Sequence, residues 1–143
     1  MAPTSIPLVI NKRKEKTLVD RYIRAMSVKT PSPEQKVKNL SGGNQQKVVL
    51  AKGMATEPGI VIIDEPTRGI DVGAKREVYD LINQMVMEGK SVIMISSDME
   101  ELLGMSDRIA VFCEGHLSGI LEKKEFNAEL VLKYASEYKA VGA

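Results

Sequence analysis

The sequence predicts an α/β fold built on a parallel sheet, and three features predict it. The continuous apolar run Ile60-Val61-Ile62-Ile63 has the pattern of a strand buried on both faces. Downstream, Val78, Leu81, Ile82, Met85 and Val86 recur at i, i+3, i+4, i+7 and i+8, the apolar stripe of a helix. Two further apolar runs, residues 92–95 and 109–113, give the order strand, helix, strand, helix, strand, which reads as right-handed crossovers in one sheet. Three parallel strands and one antiparallel strand make a small sheet. Parallel sheets have both faces covered, so the chain is expected to be part of a domain.

The elements follow in order. Residues 15–26 read as a helix with Leu18, Tyr22, Ile23 and Met26 on one face. Thr30-Pro31-Ser32-Pro33 breaks it, since prolines leave backbone hydrogen bonds unmade inside a helix. Residues 42–56 read as a helix opened by Ser41 as N-cap and closed before Pro58. The strand at 60–63 follows, then a helix over 74–88 with Gly89 as its C′ residue. After the strand at 92–95 comes a short helix, 98–104. The strand at 109–113 turns at Glu114-Gly115 into residues 116–121, a hairpin. Asn127 caps a last helix, 128–139, with Leu130, Val131, Tyr134 and Tyr138 inward.

Composition narrows the function. The 143 residues carry a net charge of +1, which removes the simplest argument for nucleic-acid binding. Residues 12–38 hold nine basic and three acidic side chains, and a solvated helix face with a linker accounts for them; a nucleic-acid or acidic-partner binder is the competing use. One cysteine, Cys113, excludes an internal disulfide framework and reads as a buried thiol. No run approaches about 18 apolar residues, so no transmembrane helix is expected. The start lacks the basic region of a signal peptide. No His/Cys group has metal-ligand spacing, and His116, the one histidine, reads as structural or exposed.

Two segments carry chemistry. In Ile60-Val61-Ile62-Ile63-Asp64-Glu65-Pro66-Thr67 a strand ends in adjacent carboxylates, where ligands of open α/β folds sit. Asp64 is placed to hold Mg²⁺, directly or through water, and Glu65 to deprotonate a water attacking a phosphate. A plain polar turn is the other use of such a string. In Leu40-Ser41-Gly42-Gly43-Asn44-Gln45-Gln46 a hydroxyl and two glycines open a helix whose free N–H groups favour an anion. An N-capped helix after a flexible turn is the alternative there.

Together, the two segments resemble the ATP-binding-cassette (ABC) ATPases over about residues 38–122. Residues 41–46 match the family's signature motif and residues 60–65 its Walker B motif. Asp71, in Arg68-Gly69-Ile70-Asp71, matches its D-loop aspartate. Within the family, Asn44-Gln45-Gln46, residues 66–75, Met105-Ser106-Asp107-Arg108-Ile109 and Glu114-Gly115-His116-Leu117 are similar to monosaccharide importers of the ribose and galactose type, toward the C-terminal end of their second cassette. The resemblance implies a partial P-loop NTPase fold with a parallel sheet core, an end hairpin and part of the helical subdomain. Residues 1–39 would be a basic helical segment and linker, 40–126 the ATPase core fragment and 127–143 a C-terminal helix.

The resemblance also implies a division of labour. In the family's head-to-tail dimer, Ser41, Gly42, Gly43 and Gln45 would contact ATP held by another cassette, and Asp71 would cross the interface. Asp64 and Glu65 would serve this cassette's own nucleotide with Mg²⁺. Many cassettes carry a histidine that reaches the γ-phosphate where this chain has Ser97, a candidate catalytic residue whose hydroxyl could still hydrogen-bond phosphate but carries no titratable charge. No Gly-x-x-x-x-Gly-Lys-Ser/Thr string occurs in the 143 residues; Gln84 to Ser91 comes nearest, and reads as a helix C-cap. The isolated chain is therefore expected to be a truncated or split piece with negligible ATP hydrolysis. Its expected partners are another cassette and membrane permease subunits, with a cytoplasmic location on the inner face of the membrane and no nucleic acid. A bare apolar edge predicts a homodimer or exchanged segments when the chain is alone. A non-catalytic module docking on a complete cassette is the second reading.

Overall fold

The computed structural model describes residues 11–137. The helices are α1 (Lys12–Ala25), α2 (Gly42–Met54), α3 (Val72–Met87), α4 (Met99–Met105) and α5 (Ala128–Ser136). The strands are β1 (Ile60–Asp64), β2 (Ser91–Ile95), β3 (Arg108–Cys113) and β4 (His116–Glu122). Every predicted element is present. The last helix ends at Ser136, short of the predicted residue 139; Tyr138 lies outside the described residues.

By contacts the chain forms two compact units. Among the described residues, one holds 11–61 with Thr67–Ile93, the other Ile62–Pro66 with 94–137. In the first, α2 packs on α3 and α1 on α2. Met26, Val28, Leu50, Met54, Val78, Ile82 and Met85 are its buried apolar residues. Val78, Ile82 and Met85 lie on the predicted stripe of α3, whereas Val86 is 48% exposed at its edge. Gly89 takes φ +86°, and a left-handed residue just past a helix end is what a glycine supplies without strain. In the second unit the β3–β4 hairpin packs on α5, with Ile109, Val111, Leu121 and Val131 as the core. Cys113 is buried there and His116 exposed, as the sequence predicts.

The sheet differs from expectation in two ways. β1 and β2 pair as a two-stranded sheet, and β3 pairs with β4 in a separate one. The Ser91 N–H donates to the Gly59 carbonyl (3.0 Å) at one end and the Glu65 N–H to the Ile95 carbonyl (2.8 Å) at the other, so β1 and β2 run parallel. β3 forms the expected hairpin but does not join the parallel pair: Glu114 and Gly115, at φ +51° and +80°, close a tight turn, and Cys113 faces His116 across it. A short loop costs least to close. The second difference is burial. Ile60 and Ile62 are 63% and 67% exposed while Ile63 is 5% exposed, so β1 is covered on one face only. Ile93 and Ile95 of β2 are exposed in the same way. Side chains alternate across a strand, and only one side of this sheet is packed.

Candidate functional site

The predicted site residues fall into two groups, one in each unit. In the first unit, Ser41 occupies the N-cap position of α2, but its side chain makes no capping bond. The predicted cap is correct in place and different in chemistry. The Asn44 Nδ2 donates to Ser41 Oγ at 2.8 Å, and the Lys29 backbone N–H donates to Asn44 Oδ1 at 2.7 Å. The first-turn N–H groups of α2 thus lack a side-chain cap from Ser41, and such groups can hold an anion. Gln45 is turned back: its Nε2 donates to the Leu40 carbonyl at 2.8 Å. Gly43 is buried, and a Cβ there would lie 2.7 Å from the Ala74 Cβ, so the glycine allows α2 to approach α3 closely.

Asp71 starts α3, with its Oδ1 accepting from the Ala74 N–H at 3.0 Å. Four residues along α2 from Gly43, Lys47 is only 2% exposed. Its Nζ donates to Glu77 Oε2 of α3 at 2.5 Å and to the Ser27 carbonyl at 3.1 Å. Lys29 adds a longer contact to Glu77 Oε1 at 3.4 Å. The hydrogen bond from Lys47, then its charge, hold the Glu77 carboxyl below the usual glutamate range. The openings of α2 and α3 are therefore tied together at both Gly43 and Lys47.

In the second unit, Asp64 ends β1 with an exposed carboxylate that makes no hydrogen bond or ion pair among the described residues. Glu65 follows in a left-handed conformation, φ +47°, uncommon for a side chain with a Cβ. It is held there from both sides: its N–H donates to the Ile95 carbonyl, and its Oε1 accepts from the Ser97 N–H at 2.9 Å. Pro66 behind it is fully buried. Ser97 thus meets Glu65 through its backbone, a contact the hydroxyl-based sequence reading does not contain. One open carboxylate beside a fixed one suits Mg²⁺, which takes one or two protein oxygens and completes its shell with water and phosphate. The residues present therefore fit that ion.

Sequence reasoning missed Asn44 and the Lys47–Glu77 pair. A signal for Lys47 exists: Gly43, Lys47, Leu50 and Met54 are the buried residues of α2, spaced at i, i+4, i+7 and i+11. A lysine on a core-facing stripe needs a carboxylate partner. Nothing in the string identifies Glu77 as that partner.

Residues 9–68 match the sequence profile of the ABC transporter family. The chain is 59% identical over 126 residues to the ribose import ATP-binding protein RbsA of Clostridium tetani, covering 88% of this chain and 25% of the relative. It is 49% identical over 133 residues to the galactose/methyl galactoside import ATP-binding protein MglA of the same organism, covering 93% and 26%. The chain thus spans about a quarter of the length of these relatives. Among solved structures it is similar to the dimeric bacterial ABC transporter cassette MJ0796, with TM-score 0.70 and 20% identity over 85% of this chain and 52% of that one. It is also similar to the ADP conformation of the cassette MJ1267, with TM-score 0.72 and 16% identity over 93% and 54%.

Proposed function

We propose, from the match of residues 9–68 to the ABC transporter family and the likeness of the fold to ABC cassettes, that the chain is a C-terminal portion of the ATP-binding subunit of a monosaccharide importer. Such a subunit sits on the cytoplasmic face of the membrane against permease subunits. Among the described residues no helix is long and apolar enough to cross a membrane. The importer reading is supported by the identities to the ribose and galactose import proteins.

The observation that carries the chemistry is the strand-end pair, with Asp64 open and Glu65 fixed by the Ser97 N–H. Asp64 would hold Mg²⁺, which neutralises phosphate charge when bound. Glu65 would accept a proton from the water that attacks the terminal phosphate, the bond to the leaving ADP breaking as the new P–O bond forms. A carboxylate fixed by a backbone donor needs no reorientation before it acts. Ser41, Gly42 and Gly43 would contact the terminal phosphate of ATP held by another cassette, with Asp71 at that interface. Gln45 is directed to Leu40 and would steady the turn. The loop that grips the β- and γ-phosphates would come from sequence outside these 143 residues.

The test is Mg-ATP titration of the chain alone and with an intact cassette. The expected result is negligible binding and hydrolysis by the chain alone and nucleotide-dependent association with the cassette. Tight Mg-ATP binding by the chain alone overturns the proposed division of labour.

A further inference from the structure

We propose that Asn44 is a positioning residue that aims the Ser41 hydroxyl outward as a hydrogen-bond donor. The proposal rests on the reading that Ser41 contacts a phosphate, and deepens it by naming what sets the direction of that contact. The Lys29 backbone N–H lies 2.7 Å from one amide atom of Asn44. A backbone N–H only donates, so that atom is the carbonyl oxygen, Oδ1. The other atom, 2.8 Å from Ser41 Oγ, is then Nδ2, and it only donates as well. Ser41 Oγ must accept there, and its own proton must point elsewhere. Among the described residues no acceptor takes that proton, and Ser41 is exposed.

The same bond goes with the missing side-chain cap on α2. The Ser41 oxygen is engaged by Asn44 instead of by the N–H groups of the first turn. The side chain that would ordinarily satisfy the helix is held aside, and one hydroxyl proton and the first-turn amides remain available to one incoming anion. Asn44 touches no phosphate itself in this arrangement. It acts through Ser41.

The test uses the full chain, Mg-ATP and an intact cassette, reading the affinity of nucleotide-dependent association. Ser41→Ala and Asn44→Ala are each expected to weaken it about tenfold, the loss of one hydrogen bond to a charged group. In the Ser41→Ala background, Asn44→Ala is expected to add nothing. Asn44→Asp still accepts from the Lys29 N–H but cannot donate to Ser41, so it is expected to unfold at the wild-type temperature yet associate at least as weakly as Asn44→Ala. The proposal is overturned if Asn44→Ala weakens association equally with and without Ser41, or leaves it intact while Ser41→Ala weakens it. If Ser41→Ala itself has no effect, the phosphate reading of Ser41 fails and the proposal with it.

Discussion

Lys47 carries a charge into a site where only 2% of it meets water, and Glu77 answers it from α3 with a side chain still 45% exposed. The two partners are unequal, so their removal should be unequal. Replacing the lysine by a similar apolar chain, Lys47→Met, leaves a half-exposed carboxylate that water can solvate. Glu77→Ala leaves a buried ammonium with only the Ser27 carbonyl. Glu77→Ala is expected to lower the urea midpoint clearly more than Lys47→Met. The pair also sets a pH dependence. The Glu77 carboxyl titrates below its usual range, so its stabilisation is present above the unfolded-state value of about 4.3 and is lost as pH falls through the lowered one. The stability gap between wild type and Glu77→Gln should be full at neutral pH and close as acidification carries the pH through the lowered value. Equal gaps at neutral and acidic pH would remove the ion pair from the account. Gly43 is the other single-residue constraint. Its missing Cβ is what lets Ala74 approach, and Gly43→Ala should destabilise by about 1–3 kcal/mol through overpacking.

At the scale of elements, α3 is the best-read part of the chain. Val78, Ile82 and Met85 are buried at the predicted positions, because an amphipathic period leaves one stripe to pack. Ile82→Ala should cost about 2–5 kcal/mol in urea unfolding, the range for emptying a filled core position. The strands were less legible. An apolar run reports that a segment can be buried and not which neighbour it takes. Residues 60–63 read as covered on both faces, and half of them are exposed. Residues 109–113 read as a third parallel strand that turns at Glu114 and Gly115 into a hairpin; the hairpin is present, and the pairing with the parallel strands is not.

For the molecule as a whole, the exposed Ile60, Ile62, Ile93 and Ile95 bear on association. Apolar strand faces and edges left open to water pair with other chains. Size-exclusion chromatography is expected to show concentration-dependent self-association, and Ile62→Thr with Ile93→Thr to shift the chain toward monomer. Monomer alone across a wide concentration range would count against it.

The sequence by itself determined the order and kind of the α-helices and strands, the helix stripes and the two chemical strings, since these depend on local periodicity and residue type. It singled out Asp64, Glu65, Ser41 and Asp71 as candidates. Only the tertiary structure decided what touches them. The Ser97 amide reaches Glu65 across 32 positions of chain, and the Lys29 amide reaches Asn44 across 15. Contacts at such separations are chosen by packing, where each buried or strained group must find a donor or acceptor, and no local pattern records which one it finds.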